Sequence, residues 1–233
     1  MNDYFRKNIF NLVAWGCGLF VLLTLVAMLF YQGGHNFDHT SPGYQFTHNF
    51  FSDLGRTVAY SGRPNTASAT LFFIALFMAG AGLVLYFLAF PRFFTHSIPL
   101  RLLSLSGSLL GVLAGACFIG IAFTPSNVSR GFHIQFVMWA FRLLPLAIFL
   151  YVPALFLNRT FPRRYAWLFV VFWLLLTGYY LLLTEGPGTD TPQGFFIQVV
   201  GQKIIAYASV ISIGLQALGA QRFITTESQE KHE

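Results

Sequence analysis

The sequence predicts an all-α fold: a polytopic membrane helix bundle with six transmembrane helices and a short interfacial helix in the first outer loop. Hydrophobic residues make up 55% of the chain and charged residues only 9%, whereas soluble domains carry about 25% charged residues. Six apolar stretches also approach or exceed the roughly 20 residues that a helix needs to cross hydrocarbon. These predicted spans cover residues 9–31, 66–90, 100–124, 133–157, 165–183 and 196–220.

The connections between these stretches are too short to form a separate soluble domain. Residues 1–233 are therefore predicted to form a single integral membrane domain, with residues 221–233 as a cytoplasmic tail. The first stretch is longer than the apolar region of about 7–15 residues in a signal peptide, and no small-x-small cleavage site follows it. We expect this stretch to remain as a permanent span.

Lys and Arg residues concentrate at the chain ends and in the even-numbered loops. The positive-inside rule therefore predicts a protein of the cell (inner) membrane with both termini in the cytoplasm and the first loop outside. The net charge of +6 follows from this topology. Nucleic-acid binding would require a basic patch with side chains that recognise bases. The sequence contains no such patch, so no nucleic-acid partner is predicted. The basic residues of the predicted cytoplasmic side are Arg6, Lys7, Arg92, Arg101, Arg159, Arg163, Arg164, Arg222 and Lys231.

Two spans carry patterns beyond hydrophobicity. In the third span, Gly107, Gly111 and Gly115 are spaced by four residues, which is typical of a close helix-packing seam. A lining for a substrate path is the alternative. The sixth span has a polar stripe on one helical face, which should avoid lipid because unsatisfied polar groups are expensive there. The stripe consists of Gln198, Gln202, Ser209, Ser212 and Gln216.

Arg142 and Lys203 are the charged residues inside apolar spans. Intramembrane charges usually face a protein interior or a wet cavity and mark function. We therefore expect Arg142 to face the bundle interior, on the same side of its helix as Gln135. We also expect Arg142 and Lys203 to line the outer half of one cavity. Structural hydrogen bonding of Arg142 and snorkelling of Lys203 are the alternatives. The predicted ligand-binding set, suited to an anionic headgroup or a small molecule, is Arg56, Gln135, Arg142, Gln202 and Lys203.

The first loop covers residues 32–65. Loops longer than about 12–15 residues in compact proteins tend to be functional or disordered. Its middle is predicted to form an amphipathic helix at the interface, with Phe46, Phe50 and Leu54 on one face. We expect this helix to cap the outer mouth of the bundle, with Asp53 or Arg56 turned toward the two intramembrane cations.

The same loop supplies most of the candidates for chemistry. Ser52 and His48, four residues apart, have the residue types of a nucleophile and its base, although Ser and Asp at such positions commonly bond to backbone. His35, Asp38 and His39 are weak metal-ligand candidates, because their spacing matches no strong motif. Solvated loop histidines are the alternative, and no cofactor is predicted. The catalytic candidates are His48, Ser52, Asp53 and His133.

The stretch His48-Asn49-Phe50-Phe51-Ser52-Asp53-Leu54-Gly55-Arg56 resembles an uncharacterised bacterial DUF (domain of unknown function) family of six-span membrane proteins with an SDLG signature in the first loop. Ala69-Thr70-Leu71-Phe72 and His133 also match that family. The Ser-Asp-x-Gly core is similar, more weakly, to the DRAM/Frag-like six-span family. The resemblance implies the six-span architecture and no established activity.

Two classes of function stay open. The first is a non-catalytic membrane protein that binds or transports a lipid or small molecule, or that stabilises a membrane-protein partner, through an outward-facing polar pocket. The second is a lipid-modifying enzyme, a hydrolase or transferase acting on headgroups at the outer face. The sequence favours the first class because it contains no complete catalytic constellation.

Overall fold

A computed structural model describes residues 3–230, and side chains are described for residues 7–226. The described residues form six long helices, without a strand between them, and every one of the six is long and apolar enough to cross a membrane. This architecture confirms the predicted all-α bundle. The helices are α1 Asp3–Phe30, α2 Thr66–Ala89, α3 Ile98–Phe123, α4 Arg130–Leu157, α5 Arg163–Glu185 and α6 Pro192–Glu230.

The six helices form a closed ring. Each helix packs against its neighbours in the chain, and α6 closes the ring against α1. We call the end of the ring that carries the first loop, residues 31–65, the loop end. The opposite end, to which both termini of the described chain belong, is the terminal end.

The last helix is longer than the sequence predicts. The segment expected to begin a tail at residue 221 continues α6 as far as Glu230, and the rest of the predicted tail, 231–233, lies outside the described residues. Apolar contacts stabilise the extension. Ile224 is buried in the core, and the ring of Phe223 packs against the rings of Phe93 and Phe161. The helix therefore continues past residue 220, because Phe223 and Ile224 pack against the core.

The glycine stripe of α3 is a close-packing seam. A Cβ atom at Gly115 would lie 2.9 Å from the carbonyl oxygen of Gly80 in α2, and a Cβ at Gly80 would lie 2.9 Å from the carbonyl oxygen of Gly115. A Cβ at Gly107 would meet the ring of Tyr151 in α4 at 2.9 Å. The packing interpretation of the stripe is therefore confirmed.

We predict that Gly80→Ala destabilises the bundle by about 1–3 kcal/mol, because backbone must move to admit the methyl group. Gly82→Ala is the matched control two residues along α2, where a Cβ would meet no atom within 4 Å. Thermal unfolding in detergent, followed by size exclusion, measures both variants. Equal stability of the two would contradict the close approach of α2 and α3.

Candidate functional site

The first loop is folded against the loop end of the bundle. The expected amphipathic α-helix is replaced by a shorter 3-10 helix, Phe51–Gly55. Its apolar side packs on the bundle and not in lipid: Leu54 is buried, and the buried ring of Phe51 contacts those of Phe20 and Phe72. Phe46, predicted on the same face, is 50% exposed. The loop is therefore a cap on the ring, but its helix is not the interfacial helix that the pattern predicts.

Asn49 explains why the longer helix does not form. This fully buried side chain accepts a hydrogen bond from the Gln45 backbone N–H at 2.9 Å and donates one to the Gly34 carbonyl at 2.9 Å. Asp53 accepts a bond from the Phe50 N–H at 2.8 Å. Such side chain–backbone bonds compete with helical ones. No sequence pattern indicated the central position of Asn49.

Lys203 joins α6 to this loop. Its side chain is 1% exposed, and its ammonium donates to the Asn49 carbonyl at 2.5 Å and to the Val199 carbonyl at 3.3 Å. The ring of Tyr44 lies 5.4 Å and the ring of Phe46 lies 5.1 Å from the nitrogen. The predicted interior position is confirmed and the snorkelling alternative is wrong. Lys203 does not, however, line either of the two cavities described below. The neighbouring Gln202 accepts a bond from the Phe51 N–H at 2.7 Å.

Asp53 is the buried acid of the cap. Burial raises the pKa of its carboxyl to about 6, while Arg56, the Phe50 N–H, the Asn49 amide and Lys203 act in the opposite direction. The Arg56 guanidinium lies 3.9 Å from the ring centre of Tyr60, and its Nε donates to the Val58 carbonyl. Of the two residues, Asp53 is the one that interacts electrostatically with Lys203.

The predicted interior position of Arg142 is wrong. Its side chain is exposed on the outside of the ring, where Nε donates to the Tyr180 hydroxyl of α5 at 3.2 Å and the guanidinium lies 5.4 Å from the Trp139 ring centre. Gln135, expected on the same inner face, is also exposed. The helix buries the adjacent Phe141, so a residue rotated by about 100° points outward. A ligand role for Arg142 and Gln135 stays a prediction, but neither residue lines the cavities described below.

The loop histidines do not assemble a ligand set. His35 and Asp38 lie in a tight turn, in which they exchange backbone hydrogen bonds. Asp38 accepts bonds from the backbone and hydroxyl of Thr40. Among the side chains described, those of residues 7–226, no group of three His, Cys, Asp or Glu could hold a metal ion.

His48 is exposed at the rim of the loop. Its Nδ1 shares a hydrogen bond with the Thr47 hydroxyl, and its ring lies 5.0 Å from that of His35. Burial and the nearby His48 lower the pKa of His35. Ser52 lies inside the cap instead, so the structure does not pair it with His48 as nucleophile and base.

A central cavity of about 260 Å³ lies within the ring. Residues of α1, α2, α3, α4, α6 and the first loop line it, and its wall is almost wholly apolar. The exceptions concentrate toward the loop end, where Ser52, His133 and Gln202 contribute polar groups. Sequence patterns did not reveal this cavity, because its wall has the same apolar composition as a lipid-facing surface.

A second cavity, of about 290 Å³, adjoins the first at the loop end. We call it the loop cavity. Hydroxyl groups are prominent in its wall, from Ser52, Thr57, Thr66 and Thr70. The two cavities share four lining residues, which are Ser52, Phe72, Ile121 and His133. A molecule that occupied both would be apolar at one end and polar at the other.

His133 has a defined tautomer at this junction. Its Nδ1 lies 2.7 Å from the carbonyl oxygen of Thr124. A carbonyl only accepts, so Nδ1 carries the hydrogen and a neutral ring leaves Nε2 as an acceptor. The residue is buried in the first turn of α4. Ser52 and His133, predicted as separate candidates, are the pair that the fold places on the same two cavities.

Comparisons of the chain with protein-family models, with curated proteins and with solved structures find no match. The resemblance based on the SDLG signature therefore stays a prediction, and the site has to be interpreted from its geometry.

We predict that Lys203→Met lowers stability by about 1–3 kcal/mol, because the buried Asn49 carbonyl loses its charged donor. Arg142→Met is the control, since it removes one positive charge from an exposed position and should change stability by no more than about 0.5 kcal/mol. Thermal unfolding in detergent measures both. A larger loss for Arg142→Met than for Lys203→Met would contradict the assigned positions of the two cations.

We also predict that the contribution of Asp53 to stability falls as pH rises from about 4 to about 7. The ordinary pKa of Asp53, 3.8, applies to the unfolded chain, and the folded value is about 6. The folded protein therefore binds the proton more tightly in this window, and the stabilisation is lost as pH rises through the folded pKa.

Asp53→Asn isolates the effect of this carboxyl. The lowered pKa of His35 acts in the opposite direction and is present in both proteins. The difference in melting temperature between wild type and Asp53→Asn should thus change across the window. A difference that is constant from pH 4 to 7 would show that Asp53 is not buried.

Proposed function

We propose that this integral membrane protein binds an amphipathic lipid, with an acyl chain in the central cavity and the polar group in the loop cavity. The observation that carries the proposal is the junction of an apolar and a hydroxyl-rich cavity across Ser52 and His133. An amphipathic occupant can place hydrocarbon in the central cavity and hydrogen-bonding groups beside the hydroxyl residues and His133 of the loop cavity, whose wall is otherwise apolar.

The dimensions support an acyl chain as the apolar part. An apolar cavity of about 150 Å³ stays dry and binds benzene. The central cavity, at about 260 Å³, has room for a longer apolar group. Because water gains few hydrogen bonds from such a wall, hydrocarbon is the favoured occupant.

The central cavity also reaches the lipid-facing side of the ring between α1 and α2. Gly16 of α1 and Gly82 of α2 both line it, and a Cβ atom at either position would meet nothing within 4 Å. Leu12 and Phe77, also in its wall, have exposed side chains. Both glycines lie near the middle of their helices, so a chain from the surrounding bilayer could enter sideways.

The polar part is better matched by hydroxyl or ester groups than by phosphate. The loop-cavity wall includes Ser, Thr and His side chains, with no Lys or Arg among its described residues. Lys203 is engaged by Asn49, and Arg142 is outside the ring. The anionic headgroup that the intramembrane cations suggested is thus less well supported than a neutral one.

The proposed location is the inner membrane, with both termini in the cytoplasm and the loop end outside. The distribution of Lys and Arg between the loops supports this orientation. In that orientation the loop cavity is at the outer face, where the polar group of an outer-leaflet lipid lies.

We predict that Gly16→Leu weakens lipid binding at least about fivefold, a loss of roughly 1 kcal/mol, because the new side chain fills the central cavity. Gly18→Leu is the matched control: a Cβ there also meets nothing within 4 Å, but the residue does not line the cavity. Protein in nanodiscs is irradiated with a diacylglycerol that carries a diazirine in its acyl chain, and crosslinked peptides are mapped by mass spectrometry.

Wild type and Gly18→Leu should crosslink at the cavity segments of α1, α2 and α6. Equal crosslinking of all three proteins, or crosslinks confined to the outside of the ring, would contradict lipid binding in the cavity.

A further inference from the structure

Ser52 and His133 lie where the two cavities meet. In a lipid whose chain occupies the central cavity and whose polar group occupies the loop cavity, the link between the two parts passes these residues. In acyl lipids that link is commonly an ester. The junction thus presents a hydroxyl and an imidazole to an ester carbonyl.

We propose that Ser52 and His133 act as nucleophile and base in the cleavage of an ester of the bound lipid. The proposal rests on the lipid binding proposed above and adds an activity to it. Its chemical class is acyl transfer from a neutral acyl ester, with water as the final acceptor.

Ser52 has the surroundings of an available nucleophile. Its neighbours in the 3-10 helix are held firmly: the Phe51 N–H bonds to Gln202 and the Asp53 side chain bonds to the Phe50 N–H. The Ser52 hydroxyl itself has no hydrogen-bond partner among the described residues. By contrast, the hydroxyls of Ser68 and Ser209 are engaged by the carbonyls of Leu54 and Ile205.

His133 has the surroundings of a general base. The bond from Nδ1–H to the Thr124 carbonyl orients the ring and leaves the Nε2 lone pair free. Nε2 has no partner within the described part of the chain. A base held by a third group is the arrangement that activates serine in many acyl-transfer sites. Here the Thr124 carbonyl takes the orienting role.

The reaction balances with water as its only co-reactant. Ser52 Oγ bonds to the ester carbonyl carbon as its proton passes to His133 Nε2. The carbon–oxygen bond to the alcohol then breaks, and the alcohol leaves with the proton from Nε2. Water attacks the acyl-serine, gives its proton to Nε2, and releases the carboxylic acid, while Ser52 Oγ recovers a proton from Nε2.

A long-chain alkyl fluorophosphonate tests the pair directly. Its phosphorus–fluorine bond breaks as Ser52 Oγ bonds to phosphorus, fluoride leaves, and His133 takes the proton. We expect a single adduct on Ser52, identified by peptide mass spectrometry in the full-length protein in nanodiscs. Ser52→Ala should abolish it, and Ser212→Ala, at a buried serine of α6 that lines neither cavity, should leave it unchanged.

His133→Gln should slow labelling by roughly 10²–10⁴-fold, the usual contribution of general acid–base catalysis. If that variant fails to fold, the pH profile of wild-type labelling still tests the base: the rate should rise along one titration step as the imidazole loses its proton. A flat profile, or an adduct on Ser68 or Ser209 in place of Ser52, would overturn the proposal.

The diazirine lipid separates the two proposals. Cavity crosslinking without an adduct on Ser52 would refute ester cleavage and leave lipid binding standing. Absence of both would refute lipid binding as well.

Discussion

The hydrogen bond from the buried Lys203 ammonium to the Asn49 carbonyl decides where the first loop lies. An ammonium removed from solvent requires acceptors, and this one has them in the loop and in its own helix. Asn49 in turn bonds to Gly34 and Gln45, so the loop folds around the residue that the lysine contacts. One polar contact thereby couples α6 to the segment between α1 and α2, and the first loop covers the loop end of the ring.

The docked first loop makes the interior more polar at the loop end than deeper in the ring. Phe51 and Leu54 close the loop end with apolar surface, whereas Ser52, the residue after Phe51, adjoins both cavities. The beginning of α4 brings His133 to the same place. Deeper in the ring the wall is apolar. The proposed site for an amphipathic molecule thus consists of a loop docked across the end of an apolar ring, without any helix that is strongly amphipathic by itself.

The sequence predicts most of this architecture because membranes impose simple rules. Six apolar stretches, the polar stripe of α6 and the buried position of Lys203 all follow from the expense of exposing polar groups to lipid. The same reasoning predicts the wrong position for Arg142, because α4 is apolar around most of its circumference. Periodicity could not tell its inner face from its lipid face, and the Tyr180 hydroxyl supplies the arginine with a partner on the outside. The inward packing of the first loop was equally hidden, because it depends on side chain–backbone bonds of Asn49 and Asp53.

An experimental structure of the protein crystallised from a lipidic mesophase would test the central claim most directly. We expect elongated non-protein density in the central cavity, beside Gly16 and Gly82, that passes between Ser52 and His133 and has its polar end in the loop cavity beneath a docked first loop. A collapsed cavity, or a first loop detached from Lys203, would contradict this expectation.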